Sequence, residues 1–254
     1  MKILIPMAGH SRRFFEAGFK DPKQFIYIDG KPMIQRVCEM FSPKDEFIFI
    51  ANKEQLKNKK YLDILKNVTK DYQIVEIDPH DEGPLYTTLQ AKHLMKENEP
   101  LIISYCDFFC QWNYQRFLQK ATMYEGAMSV FKGFHPASFG NTNYCYIKTN
   151  PDREMIALQE KQPFTNNRSE EYASTGVYYL ESWHMFEYYA NLIINQGKRV
   201  ATEFYVSLIY NPIVESGKKV CTFEIEKFIC WGTPQDLKEY LFWSEYFAMR
   251  LVAF

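Results

Sequence analysis

Paired cysteines, surplus charge and long apolar runs are all missing from this chain, and each absence removes a class of protein. The six cysteines, Cys38, Cys106, Cys110, Cys145, Cys221 and Cys230, are scattered without CxxC spacing. They read as reduced core thiols, not as a zinc site or a disulfide framework. Thirty Lys and Arg stand against thirty-one Asp and Glu, a net charge of −1, so there is no electrostatic footprint for nucleic acid or a membrane surface. The apolar residues before Gly9 are too few for a signal-peptide core, and no later run reaches the length of a membrane span. The expectation is a cytoplasmic protein. With no internal repeat, low-complexity tract or linker, the 254 residues read as one domain able to bury a sizeable core.

What is present starts at 4–25, LIPMAGHSRRFFEAGFKDPKQF. A strand over 2–6 empties into a loop carrying Ala8, Gly9 and Ser11, then Arg12 and Arg13, and closes on Asp21-Pro22-Lys23. Small residues let backbone N–H groups approach anionic oxygens, while Arg13 and Lys23 can converge on phosphates from opposite sides. The plain alternative is a surface loop with solvated charges.

The pattern then alternates. An apolar run at 25–28 and the turn Asp29-Gly30 lead to a helix from Pro32 to about residue 40. Strands are expected at 46–51, 72–77, 101–105 and 126–131, with helices at 53–67, 85–97 and 113–124 between them. Such alternation argues for right-handed crossovers and a doubly wound sheet. Short β segments at 140–148, 155–159 and 172–180 follow, read as sheet extension and substrate lid. Helices at 181–195 and 202–215, a strand at 220–225 and a helix opening at Thr233-Pro234 complete the chain. The apolar residues Phe242, Tyr246, Phe247, Met249, Leu251 and Phe254 read first as core packing and second as a dimer contact.

In an open α/β sheet the ligand crevice lies beyond the carboxyl ends of the strands. The Gly83-Pro84 loop and Asp107 should therefore face the opening loop. Together Gly9, Arg13, Lys23, Gly83 and Asp107 suit nucleoside triphosphate chemistry, in which positioning and charge neutralisation do most of the work. Asp107 would be a hard oxygen ligand for magnesium; otherwise it caps the turn after its strand. His80 reads as a solvated loop histidine.

At these residues the chain resembles the nucleotidyltransferases that make nucleoside-diphosphate sugars and related activated compounds. Leu4 to Gly9, Arg13-Phe14 and Pro22-Lys23 resemble that family's opening signature, and Ser104-Tyr105-Cys106-Asp107 the segment ending in its metal-binding Asp. Glu160-Lys161 and Ser174 to Tyr178 resemble its second-half substrate site. The resemblance implies a Rossmann-like, doubly wound, mostly parallel central sheet flanked by helices, of nucleotidyltransferase or GT-A-like type, with a small additional β region in the second half. It divides the domain into a nucleotide-binding half, 1–132, and an acceptor-binding half, 133–254.

It further implies nucleotide contacts at Met7, Ala8, Gly9, Ser11, Arg13, Lys23, Glu82, Gly83, Tyr105 and Cys106, and acceptor contacts at Glu160, Lys161 and Gly176. Arg13, Lys23 and Asp107 would carry catalysis, with Mg2+ as cofactor. Two departures stand out: Ser11 replaces the family's second loop glycine, and Cys230 replaces its distant metal Asp. A neutral thiol is a poor magnesium ligand, which makes Glu203 the candidate for second carboxylate, or else a first-turn Glu favoured by a helix dipole.

Pro22-Lys23-Gln24-Phe25 resembles the same element of cytidylyltransferases. That implies CMP transfer from CTP to a phosphorylated small molecule, with L-glutamine phosphate as acceptor and a product for capsular polysaccharide modification. A sugar 1-phosphate nucleotidyltransferase, a GT-A-type glycosyltransferase and a catalytically silent nucleotide-binding module are the alternatives. Asp107 is followed by Phe108 and Phe109, without the Asp-x-Asp pair usual in such glycosyltransferases.

Overall fold

The structure is a computed structural model describing residues 1–141 and 143–251, with side chains described as far as Ala248. In chain order the first half holds β1 (Lys2–Met7), α1 (Arg12–Glu16), β2 (Tyr27–Ile28), β3 (Lys31–Pro32), α2 (Met33–Cys38), β4 (Glu46–Asn52), α3 (Lys53–Leu56), α4 (Lys59–Val68), β5 (Tyr72–Ile77), α5 (Pro84–Leu89), β6 (Leu101–Ser104), β7 (Phe108–Gln111), α6 (Tyr114–Ala121) and β8 (Gly126–Phe131). The second half holds β9 (Cys145–Thr149), β10 (Met155–Glu160), β11 (Tyr172–Leu180), α7 (Trp183–Asn195), α8 (Tyr210–Glu215), β12 (Val220–Glu224), β13 (Lys227–Cys230) and α9 (Pro234–Leu251).

Nine strands form the central sheet, in the order β10-β9-β11-β6-β1-β4-β5, with β8 paired to β11 and β12. It is mostly parallel: β1, β4, β5, β6, β8, β9 and β12 run one way, and only β10 and β11 oppose them. The strands are apolar on both sides because both faces are covered. Ile3, Ile5, Phe47, Phe49 and Ile102 pack into one core layer, and Leu4, Ile48, Ile50 and Ile103 into the other. From β1 the chain adds β4 and β5 on one side and then returns to place β6 on the other. That reversal makes the carboxyl ends of β1 and β6 the place where a crevice opens.

Several local expectations change. The helix expected at 53–67 is two, because Asn58 interrupts it and starts α4 by accepting from the Lys60 N–H. The one expected at 85–97 stops at Leu89 and continues only as a 3-10 turn, Lys92–Leu94. The one expected at 202–215 begins late, as a 3-10 turn Val206–Ile209 leading into α8; Ala201 has φ 54°, which no α-helix accommodates. Glu203 therefore lies on no helix, and the helix-dipole reading of it falls. The opening loop contains α1, and β7 pairs with β13 as a separate ribbon.

All six cysteines are free thiols. The C-terminal aromatics depart from core packing: Phe242 is 61% exposed, Trp243 51%, Tyr246 39% and Phe247 55%. Among the described residues of α9, Leu237, Tyr240 and Leu241 join the cluster around Phe14, Ile28 and Trp231, and Ser244 Oγ donates to Asp29 Oδ1 at 3.0 Å, so the aromatic side chains stand on the exposed side of the helix. The side chains of Met249 and Leu251, and all of Phe254, lie outside the described residues. Among the described residues, no helix is long and apolar enough to cross a membrane.

Candidate active site

A cavity of about 410 Å³ opens at the ends of β1 and β6. Met7, Ala8, Gly9, Ser11, Arg13, Lys23, Gly83, Tyr105, Cys106, Asp107, Glu160, Lys161, Gly176 and Glu203 all line it. Of the nucleotide-contact, acceptor-contact and metal residues expected from the resemblance, Glu82 is absent from its wall; its carboxylate turns outward to Arg199.

Side chains behind the opening loop hold its backbone. Gln24 Nε2 donates to Met7 O (3.4 Å), Asn52 Nδ2 to Ala8 O (3.4 Å) and Gln55 Nε2 to Gly9 O (3.0 Å). Because the peptide unit is planar and trans, each anchored carbonyl sends the next residue's N–H the opposite way. The N–H groups of Ala8, Gly9 and His10 are thereby turned away from those three side chains.

Ser11 adopts a left-handed backbone of the kind glycine takes most readily, with φ 58° and ψ 24°. A non-glycine residue there costs about 1–2 kcal/mol. Two features offset it: Ser11 Oγ accepts from the Lys23 N–H at 3.1 Å, and Ser11 O accepts from the Phe14 and Phe15 N–H groups. The hydroxyl thus ties the start of the loop to its end.

Lys23 Nζ donates to Asp107 Oδ2 at 2.6 Å. Burial alone would lower the Lys23 pKa, but Asp107 and, secondarily, Cys106 raise it well above the usual lysine range, so the ammonium stays charged. Arg13 is exposed at the cavity edge, where its Nη2 donates over a long 3.5 Å to Gly232 O. Arg12 pairs with Asp81 Oδ2 at 3.1 Å, and His10 Nε2 lies 3.5 Å from the same carboxylate. These contacts join the opening loop to the 78–83 loop.

Within that loop both ring nitrogens of His80 have protein partners. Its Nδ1 accepts from the Glu82 N–H (3.1 Å), and Nε2 lies 3.2 Å from Thr87 Oγ1, which donates onward to Gly83 O (3.0 Å). A hydroxyl that donates to Gly83 must accept from His80, which fixes the neutral Nε2–H tautomer. Burial keeps the imidazole pKa below its usual value. Gly83 itself has φ 92°, and a Cβ there would lie 2.7 Å from Phe204 O.

The far wall holds the second-half residues. Glu160 accepts from Ser207 Oγ at 2.5 Å; burial pushes its carboxyl up to about 7, with Ser207 and Lys161 opposing the shift. Lys161, at φ 60°, donates to the Tyr205 hydroxyl, which donates to Glu203. Gly176, at φ 102°, lets Tyr105 and Phe108 close in: a Cβ would sit 3.1 Å from Tyr105 Cδ2.

Cys230 stands beside Asp107, since a Cβ on Gly232 would lie 3.4 Å from both Asp107 Oδ2 and Cys230 Sγ. Its thiol is pushed up to about 12 by burial and by Asp236 and Asp107, and its Sγ contacts Asp236 Oδ2 at 3.7 Å. A thiol held neutral offers little to a hard cation. Asp107 fits one: magnesium is commonly held by one or two carboxylates plus substrate phosphates, and here a cation, the Lys23 ammonium, already sits on it. Among the described residues, no group of three or more His, Cys, Asp and Glu side chains forms a ready metal cage.

The sequence reading missed Tyr205, Ser207, Asp81 and Asp236. Only Asp236 carried a local signal, Thr233-x-x-Asp236 at the start of α9. The Thr233 N–H donates to the Asp236 carboxylate (3.1 Å) and Thr233 Oγ1 accepts from the Asp236 N–H (3.1 Å), a capping box.

A family model described as nucleotidyl transferase matches residues 3–243. The bifunctional protein GlmU of Methanococcus maripaludis is 24% identical over 212 residues, 83% of this chain and 47% of that protein. The chain thus spans about half the length of that curated relative. Among solved structures, the nucleoside-diphosphate-sugar pyrophosphorylase of Vibrio cholerae RC9 superposes with a TM-score of 0.75 at 21% identity, covering 94% of this chain and 99% of the other. The inositol-1-phosphate CTP transferase of T. maritima gives 0.68 at 13%, covering 94% and 93%.

Proposed function

The chain belongs to the nucleotidyl transferase family, and from that premise we propose that it transfers CMP from CTP to a phosphorylated small molecule, releasing pyrophosphate. A phosphate oxygen of the acceptor attacks the α-phosphorus. The bond from that phosphorus to the β-phosphate bridging oxygen breaks, and pyrophosphate leaves with the electron pair. A phosphate monoester is already largely ionised near neutral pH, so no strong general base is required.

The observation that carries this reading is the convergence of anchored loop amides, Arg13, Lys23 and Asp107 on one cavity. The amides and Arg13 would hold the triphosphate, and Lys23 would swing from Asp107 to the phosphates. Asp107, with Glu203 as the candidate second carboxylate from the cavity wall, would hold a divalent metal, Mg2+ by donor hardness. That ion supplies charge neutralisation on the phosphates. Met7, Gly83, Tyr105 and Cys106 would surround the nucleoside, and Glu160, Lys161 and Gly176 the acceptor.

Cytosine as base rests on the Pro22-Lys23-Gln24-Phe25 element and on likeness in fold to a CTP transferase. L-glutamine phosphate as acceptor, and a CDP-linked product for capsular polysaccharide modification, rest on resemblance of motifs. Residues 1–254 would act as one cytoplasmic domain, 1–132 binding nucleotide and 133–254 acceptor. The exposed aromatics of α9 are where a second copy would pack. The competing reading, a sugar 1-phosphate as acceptor, is favoured by the pyrophosphorylase likeness. Four nucleoside triphosphates assayed against a panel of phosphorylated acceptors, scored by pyrophosphate, separate the two. A glycosyltransferase would release a nucleoside diphosphate instead, and a silent module nothing.

A further inference from the structure

The loop at 80–85 belongs to the nucleotide side of the cavity and the segment at 199–205 to the acceptor side, yet the two are fastened together. The Phe204 N–H donates to Glu82 O at 2.9 Å, and the Leu85 N–H to Phe204 O at 3.0 Å. Gly83 lies flat between these bonds, with no room for a Cβ against Glu203 and Phe204. Arg199 spans the outside. Its Nη2 donates to Glu82 Oε2 (2.5 Å), its Nη1 to Thr202 O (2.7 Å), and its guanidinium carbon lies 3.9 Å from the centre of the Phe204 ring.

Neither Arg199 nor Glu82 lines the cavity. An ion pair this exposed contributes little by itself, but this guanidinium grips a side chain of one loop and both a carbonyl and a ring of the other. The residues flanking Phe204 lead straight to the acceptor side: Glu203 and Tyr205 form the chain of hydrogen bonds that ends on Lys161. The Val206 N–H then donates to the Tyr105 hydroxyl at 3.3 Å.

We propose that Arg199 is a positioning residue that makes the nucleotide loop and the acceptor segment respond as one unit, so that nucleotide binding orders the Glu203–Tyr205–Lys161 wall before the acceptor arrives. The proposal rests on the reading that the loop at 80–85 receives nucleotide. By linkage, the acceptor would tighten nucleotide binding by the same factor.

Amide hydrogen exchange, with and without CTP, tests this without knowledge of the acceptor. In the native protein CTP should slow exchange at 7–13, at 80–85 and also at Phe204 and Val206, by about fivefold or more at the last two. In Arg199→Ala and Glu82→Gln, protection at 7–13 and 80–85 should persist while that at Phe204 and Val206 is lost. The double variant should do no more than either single one, and Arg199→Lys should fall between. Native protein protected at 80–85 but not at 204–206, or Arg199→Ala protected at both, overturns the coupling alone. No protection at 7–13 and 80–85 by any of the four nucleoside triphosphates overturns the nucleotide reading and the coupling with it.

Discussion

Lys23 and Asp107, eighty-four residues apart in sequence, meet at 2.6 Å on the floor of the cavity. The ammonium neutralises the carboxylate; under the proposed function a nucleotide and a metal ion would bring other charges. Their side chains are 24% and 18% exposed, so the pair is only partly shielded from water. Lys23→Met should leave Asp107 uncompensated and cost about 1–2 kcal/mol, less than the 3–5 kcal/mol of a fully buried pair. Lys23→Met combined with Asp107→Asn should recover most of that stability without recovering turnover. Urea denaturation of the two single variants and the double variant checks the cycle.

Ser11 sits in a left-handed conformation and its hydroxyl accepts from the Lys23 N–H. Ser11→Ala keeps the strain and loses the bond, and should destabilise by about 1 kcal/mol. Ser11→Gly loses the same bond but relieves the strain, and should lie within about 1 kcal/mol of the native protein. Thermal unfolding of the two variants side by side gives the ordering.

Gly83→Ala adds a Cβ that would meet Phe204 O at 2.7 Å, at a φ of 92°. The nearest atoms are Phe204 O, Phe204 N and Glu203 Cβ, none of which a side-chain rotation moves aside. A loss of about 2–3 kcal/mol is expected, together with a raised KM for the nucleotide. Steady-state kinetics at fixed acceptor measures the second effect.

Glu160 provides the pH signature. Burial raises its folded pKa from an ordinary 4.5 to about 7, so between those values the folded state binds more proton than the unfolded chain. Its contribution is fully present below pH 4.5 and is lost as pH rises through about 7. Glu160→Gln cannot titrate, and should therefore gain stability relative to the native protein between pH 5 and pH 8. Denaturation midpoints of both proteins at these two pH values check the sign.

The parallel core strands were legible because they are apolar on both faces. The strands Tyr72–Ile77, Gly126–Phe131 and Tyr172–Leu180 fall where periodicity puts them. The site's two ends were legible because strand order forces the loops after β1 and β6 together. Less visible were features set by single side chains acting at long range. Asn58 splitting a helix, Ala201 holding the backbone before Glu203 out of helix, and Arg12 finding Asp81 leave no periodic trace. The α9 aromatics have the spacing of a core face, but they stand on the exposed side of the helix. His80 reads like any loop histidine until Thr87 and Glu82 are seen on either side of its ring.

The central claim is nucleotidyl transfer in this cavity with Asp107 as a participant. Its most direct test is pyrophosphate release by the native protein and by Asp107→Asn, with CTP, UTP, ATP and GTP each offered against phosphorylated acceptors. Release by the native protein, highest with CTP, and a drop of orders of magnitude in a variant that remains folded by circular dichroism are the predicted results. Undiminished release by Asp107→Asn, or a nucleoside diphosphate as the only product, would contradict the account.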